Sequence, residues 1–157
     1  MNQILQWAQQ NSRQHRYTRL LITHLLILLT LTACSGIAIT YYDATTYTQL
    51  TSLKAETTTL VESFDTKIFS ENQAKIEATT LALKKAYEYE KGKGHPNSDT
   101  TKQFDKITGL FMEDVKDYKE NGPGALGPKY FQEAAIVLGQ AFDIAISTES
   151  LKNKDKH

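Results

Sequence analysis

The residues whose types and spacing suit chemistry are few. Glu113, Asp114 and Asp117 place three carboxylates on one flank of a helical segment. Clustered oxygens are what a hard cation binds. With Lys116, Lys119 and Glu120 beside them, the plainer reading is a solvated face with local ion pairs. Glu88 and Glu90 alternate with Tyr87 and Tyr89 near a helix end. A catalytic acid and base must face each other across a substrate, and neighbours on one helix diverge. His95, between Gly94 and Pro96, reads as a turn residue, and His157 falls in the tail. His-Glu-x-x-His, Glu-x-x-His and paired cysteines are all missing, so the zinc, di-iron and haem-attachment patterns do not arise. Gly92-Lys93-Gly94 is too short for a phosphate loop and follows a helical pattern rather than a strand. The expectation is a chain with no catalytic residue, no metal and no cofactor.

Recognition finds a better candidate in the loop Asn121-Gly122-Pro123-Gly124-Ala125-Leu126-Gly127-Pro128, with Tyr118 and Tyr130 on either side. Loops carry function more often than core faces do, and tyrosines make rigid amphipathic contacts. Tyr118, Asn121, Leu126 and Tyr130 are the residues expected to meet a partner there. The glycines and prolines are equally explained by the need to reverse the chain.

The elements that must carry these residues are helical. Tyr47, Leu50, Leu53, Thr57, Leu60, Phe64 and Ile68 recur at spacings of three and four, which predicts a helix over 44–68. Its many threonines are weak helix formers, so packing must hold it. Ser70-Glu71-Asn72-Gln73 has the form of a capping box ahead of a second helix over 71–91. Ala74, Ala78, Leu81, Ala82 and Tyr89 form one side of it, with Ile76, Leu83, Ala86 and Tyr87 alongside. Gly92 and Gly94 stop that helix, and Thr100 with Gln103 offers a second box. Phe104, Ile107, Phe111, Val115 and Tyr118 run down the apolar face of the third helix, where Gly109 suggests a close helix contact. Pro128 suits the first position of a fourth helix over 128–149. Phe131, Ala134, Ala135, Leu138, Ala141, Phe142, Ala145 and Ile146 are its main face, and Ile136, Val137 and Ile144 widen it toward a second neighbour. The tail 150–157 is polar and reads as frayed. Four helices with short loops fold most simply as an all-α, up-down four-helix bundle over 44–149.

Charge separates the two ends of the chain. Basic and acidic residues balance at 18 each, yet no acidic residue precedes Asp43, while Arg13, Arg16 and Arg19 all do. Without those three arginines the rest of the chain is mildly acidic, which excludes the basic patch that nucleic-acid binding requires. Residues 20–33 are almost wholly apolar and end in small residues before Cys34, the one cysteine. A basic region, an apolar core and a small-residue boundary are the parts of a secretory signal, and the positive flank stays cytoplasmic. A lone thiol in an exported chain is a liability unless modified, paired or removed.

Leu31-Thr32-Ala33-Cys34 resembles the lipobox of bacterial lipoproteins. The resemblance covers residues 13–35 and implies a diacylglycerol on the Cys34 sulfur, with cleavage between Ala33 and Cys34. Residues 34–43 then serve as a tether. Ser35 resembles the outer-membrane sorting pattern, which implies the periplasmic face of the outer membrane if the source is Gram-negative. Two or three acyl chains anchor stably, each buried methylene contributing about 0.8 kcal/mol. A second reading stays open: apolar character resumes at Ile37–Tyr42, so 20–42 is long enough for an uncleaved spanning helix. Either way the body is extracytoplasmic. A tethered bundle without a catalytic set suggests a non-enzymatic protein that binds another protein of the cell envelope. The alternative is a bundle holding a small molecule or metal between its helices.

Overall fold

The computed structural model describes residues 40–154. Leu31, Thr32, Ala33, Cys34 and the apolar run 20–33 lie outside the described residues, as do residues 34–39 of the tether and 155–157 of the tail. Four α-helices follow one another: α1 (Ala44–Glu62), α2 (Phe69–Gly92), α3 (Ser98–Asn121) and α4 (Tyr130–Ser150). Short 3-10 turns at Ser63–Asp65 and His95–Asn97 precede α2 and α3. Among the described residues there is no strand beyond a single parallel bridge between Tyr41 and Asn153. No helix among them is long and apolar enough to cross a membrane.

Local chemistry explains the helix ends. Asp43 caps α1, its Oδ1 accepting the Thr45 N–H at 2.8 Å. Threonine is tolerated inside α1 because its hydroxyls bond back to carbonyls one turn earlier, as Thr48 does to Ala44 and Thr57 to Leu53. α2 starts earlier than the predicted box: Glu71 accepts the Ile68 N–H at 3.1 Å, while Gln73 bonds forward to Glu77. The Thr100–Gln103 box does not form either. Thr100 is buried inside α3, and Gln103 reaches across to the Thr148 hydroxyl at 2.8 Å. Pro128 is two residues short of α4. That helix is capped instead from a distance, by Asp65 on the N–H groups of Phe131 (3.4 Å) and Gln132 (3.2 Å). A carboxylate at a helix N-terminus satisfies orphan donors and meets the positive end of the dipole.

α4 packs most extensively on α1, and also on α3; α2 packs on α3 and on α1. The apolar face predicted for α3 is buried in full, as are Leu50, Leu53, Thr57, Leu60 and Phe64 of the first segment. Ile68, past the end of α1, is exposed. Gly109 makes no close contact, nothing lying within 4 Å of a Cβ built there. The glycine that faces another helix is Gly139, opposite Thr58 and Lys54 of α1.

α2 buries a different face from the one its apolar residues suggest, and α4 buries its predicted main face alone. In α2 the buried stripe is Asn72, Ile76, Thr79, Leu83, Ala86 and Glu90, and Leu81 and Tyr89 are exposed. Polar members at three of six positions hide this stripe from an apolar count. In α4, Ile136, Val137 and Ile144 do not widen the core but face solvent, at 60%, 51% and 62% exposure. Residues 151–154 of the tail, expected to fray, fold back onto the chain. The Tyr42 N–H donates to the Asn153 carbonyl at 2.8 Å, the Asn153 N–H donates to the Thr40 carbonyl, and Lys152 is buried.

Candidate partner-binding surface

The predicted recognition loop leaves α3 at Gly122, whose φ of 78° reverses the chain while its N–H bonds the Tyr118 carbonyl at 2.9 Å. Its four expected residues do not act together. Tyr118 is wholly buried: its ring stacks on Phe64 with centroids 4.1 Å apart, and Phe131 meets both rings edge-on. Its hydroxyl donates to the Lys67 carbonyl at 2.7 Å and accepts from Asn72 at 3.1 Å, and burial pushes its pKa up. Tyr118 is therefore a core residue with a satisfied polar tip. Asn121 is exposed but turns its amide back to the Asp117 carbonyl at 2.8 Å. Leu126 is exposed at the loop tip. Tyr130 stands at the start of α4, and its hydroxyl donates to Asp117 Oδ2 at 2.6 Å. That bond to Asp117, with smaller effects of burial and nearby carboxylates, pushes Tyr130 up to about 12.

Tyr130 does join a surface feature. Between α3 and α4 lies an open cleft of about 250 Å³ with Leu110, Ala134, Val137 and Leu138 on its walls and Asp114 and Glu133 at its edge. Both charged residues lining it are acidic. Burial, then the charges of Asp117 and Glu113, raises the Asp114 carboxyl to about 6. Val137 lines the cleft and, with Ile144 two turns on along the same side of α4, makes an exposed aliphatic strip beside it, while Ile136 lies about a quarter turn away. The three predicted carboxylates are thus split in role: Asp117 is engaged by Tyr130, while Asp114 faces the cleft. No group of three His, Cys, Asp or Glu side chains gathers as a metal site among the described residues.

A second polar assembly went unseen in the sequence. Glu90 and Glu149 are fully buried, and Lys152 and Asn97 nearly so. Lys93 bonds Glu90 Oε1 at 2.7 Å, Asp43 Oδ2 at 2.8 Å and the Thr46 hydroxyl, which itself bonds Glu90. Asn97 donates to Glu90 Oε2 at 3.1 Å and accepts from Lys152 at 2.9 Å. Lys152 closes on Glu149 Oε2 at 2.5 Å, and Glu149 Oε1 accepts the Asp43 N–H at 2.7 Å. Tyr89 completes the set, donating to Asp43 at 2.8 Å. Burial alone would raise the Asp43 carboxyl, but bonds from Lys93, Tyr89 and the Thr45 N–H outweigh it and hold the group far below the usual carboxylate range. Burial likewise opposes the charge on Lys93, and its bonds to Asp43 and Glu90 overcome this and raise its pKa. Every member is paired within the cluster, so it ties chain segments together and offers no free group for catalysis. The available signal was register: Glu90 continues the stripe of Leu83 and Ala86, and Glu149 that of Phe142 and Ala145.

No family model matches the chain, and no curated protein or solved structure matches it.

Proposed function

We propose that this chain is a non-enzymatic, extracytoplasmic protein of the bacterial cell envelope whose helices, as an up-down four-helix bundle, bind a protein partner. The observation that carries this reading is the exposure of Val137 and Ile144 on one side of α4, with Ile136 of the same helix also in water. β-Branched side chains left in water together, beside an apolar cleft, are a common mark of an interaction surface. Packing of α1 on α2, α2 on α3, α3 on α4 and α4 on α1 supports the up-down order. The tether is proposed from the leader: a lipid on Cys34 after cleavage at Ala33, or a spanning segment over 20–42. Thr40–Asp43, the described end of the proposed tether, is bonded to the body through Asn153, Glu149, Lys93 and Tyr89.

Two measurements test the proposal. Labelled palmitate is expected in the wild type and not in Cys34→Ala; label that survives the substitution overturns the lipid at that sulfur. Affinity capture of the tethered chain from envelope extracts is expected to enrich one stoichiometric partner, and the recovery of none overturns the binding role.

A further inference from the structure

We infer that the α3–α4 cleft and the aliphatic strip beside it form one docking surface for a basic amphipathic helix of the partner. The inference rests on the partner-binding reading and adds the chemistry of what is bound. Three features converge on it. Val137 and Ile144 lie on one side of α4 seven residues apart, one of the spacings at which a facing helix aligns its own apolar residues. The cleft is walled by Leu110, Ala134 and Leu138, apolar surface of the kind that the aliphatic stem of a lysine or arginine covers. The charges at its edge, Asp114 and Glu133, are of one sign, and neither carboxylate is matched by an ion pair among the described residues.

Charge decides between occupants. An isologous contact between two copies of this chain over the same patch would set carboxylates against carboxylates. An anionic lipid surface would meet the same repulsion. A cationic helix is attracted, and its ammonium or guanidinium groups relieve the crowding of Asp114 by Asp117 and Glu113. A larger groove between α1 and α2, of about 540 Å³, carries Glu56 together with Lys67 and Lys75 and so presents no single sign to a partner.

The full chain, in nanodiscs of uncharged lipid with empty discs as the blank, is titrated with two fluorescent helical peptides. Both carry leucine at amphipathic spacing; one has lysine on its flanks and the other glutamate. The lysine peptide is expected to bind, at least tenfold tighter than the glutamate peptide, with affinity that falls as salt rises. Val137→Ser with Ile144→Ser is expected to weaken it about tenfold, and Asp114→Asn with Glu133→Gln to flatten the salt dependence. Glu133, Val137 and Ile144 are exposed and Asp114 is half-buried, and unchanged circular dichroism separates lost binding from lost folding. Equal binding of the two peptides, no binding, or no effect of either pair overturns the inference. So does a dimer that the serine pair dissociates, which assigns the strip to a second copy. A photo-crosslinker at residue 144 or residue 75 of the chain in its own membranes separates the two levels. One partner captured from residue 75 and none from residue 144 sinks this surface while the partner-binding reading stands. Capture from residue 144 of a partner whose crosslinked segment is a lysine- or arginine-rich amphipathic helix supports both, and capture through any other segment overturns the inference.

Discussion

The aromatic cluster and the ionic cluster solve the same problem, joining helix ends, with opposite chemistry. Phe64, Phe69, Tyr118 and Phe131 stack and cross around one another at centroid distances of 4.1–5.8 Å. They draw on the end of α1, the start of α2, the end of α3 and the start of α4. Asp43, Glu90, Lys93, Asn97, Glu149 and Lys152 link the opposite termini of those helices by charge-assisted bonds. Apolar packing is forgiving: it needs volume, and each ring contributes whatever its neighbours do. A buried charge is stable only while its particular partner is present. The aromatic cluster therefore supplies cohesion, and the ionic cluster supplies specificity about which segments meet.

That contrast is broken or sharpened by substitution. The largest effect is expected from Glu149→Leu, which leaves Lys152 buried beside no carboxylate and should cost about 3–5 kcal/mol. Adding Lys152→Met should recover most of this loss in denaturant unfolding. A double variant as unstable as the single would show that the pair contributes net stability and that the contrast is wrong. In the aromatic cluster, Tyr118→Phe keeps the stack but strips the Lys67 carbonyl and Asn72 of their partner, at about 1–3 kcal/mol, with no second substitution expected to restore it. A smaller effect of opposite sign belongs to Asp114. Its carboxyl, raised to about 6 from an ordinary 3.8, binds its proton more tightly in the folded state. Its ionisation therefore costs stability above pH 6, and the cost fades as the pH falls toward 4. Asp114→Asn should stabilise by about 1 kcal/mol at pH 7, solvent screening included. Thermal melts at pH 7 and pH 4 check this, and an equal gain at both would remove the charge explanation. Least of all, Ile144→Ser should move stability by no more than about 0.5 kcal/mol, because its side chain faces solvent. A larger loss would place it in the core and remove the exposed strip.

Legibility followed the chemistry of each position. The third helix was readable because its buried positions, Phe104 to Tyr118, are all large and apolar at helical spacing. The second misled, since Asn72, Thr79 and Glu90 occupy the buried stripe while Ala74, Ala78 and Leu81 decorate the outside. Of the residues proposed for recognition, Leu126 and Tyr130 are exposed, Asn121 is bonded into its own helix end and Tyr118 lies in the core. The lipobox belongs to a segment outside the described residues, and its reading stands on Leu31, Thr32, Ala33 and Cys34 alone.

Periodicity and breakers by themselves determined that the body is helical, roughly where each of its four helices runs, and that glycines and prolines part the last three. Both are local properties, set by side-chain spacing and backbone preference within a turn or two. Only the tertiary structure decided which face of α2 is covered, that Ile136, Val137 and Ile144 of α4 stay outside, that Asp65 caps α4, and that Glu90, Glu149 and Lys152 are inside. Each depends on a partner far along the chain. A carboxylate reads as surface until a distant hydroxyl or backbone N–H, as of Thr46 for Glu90 and Asp43 for Glu149, is brought within about 3 Å to replace its water.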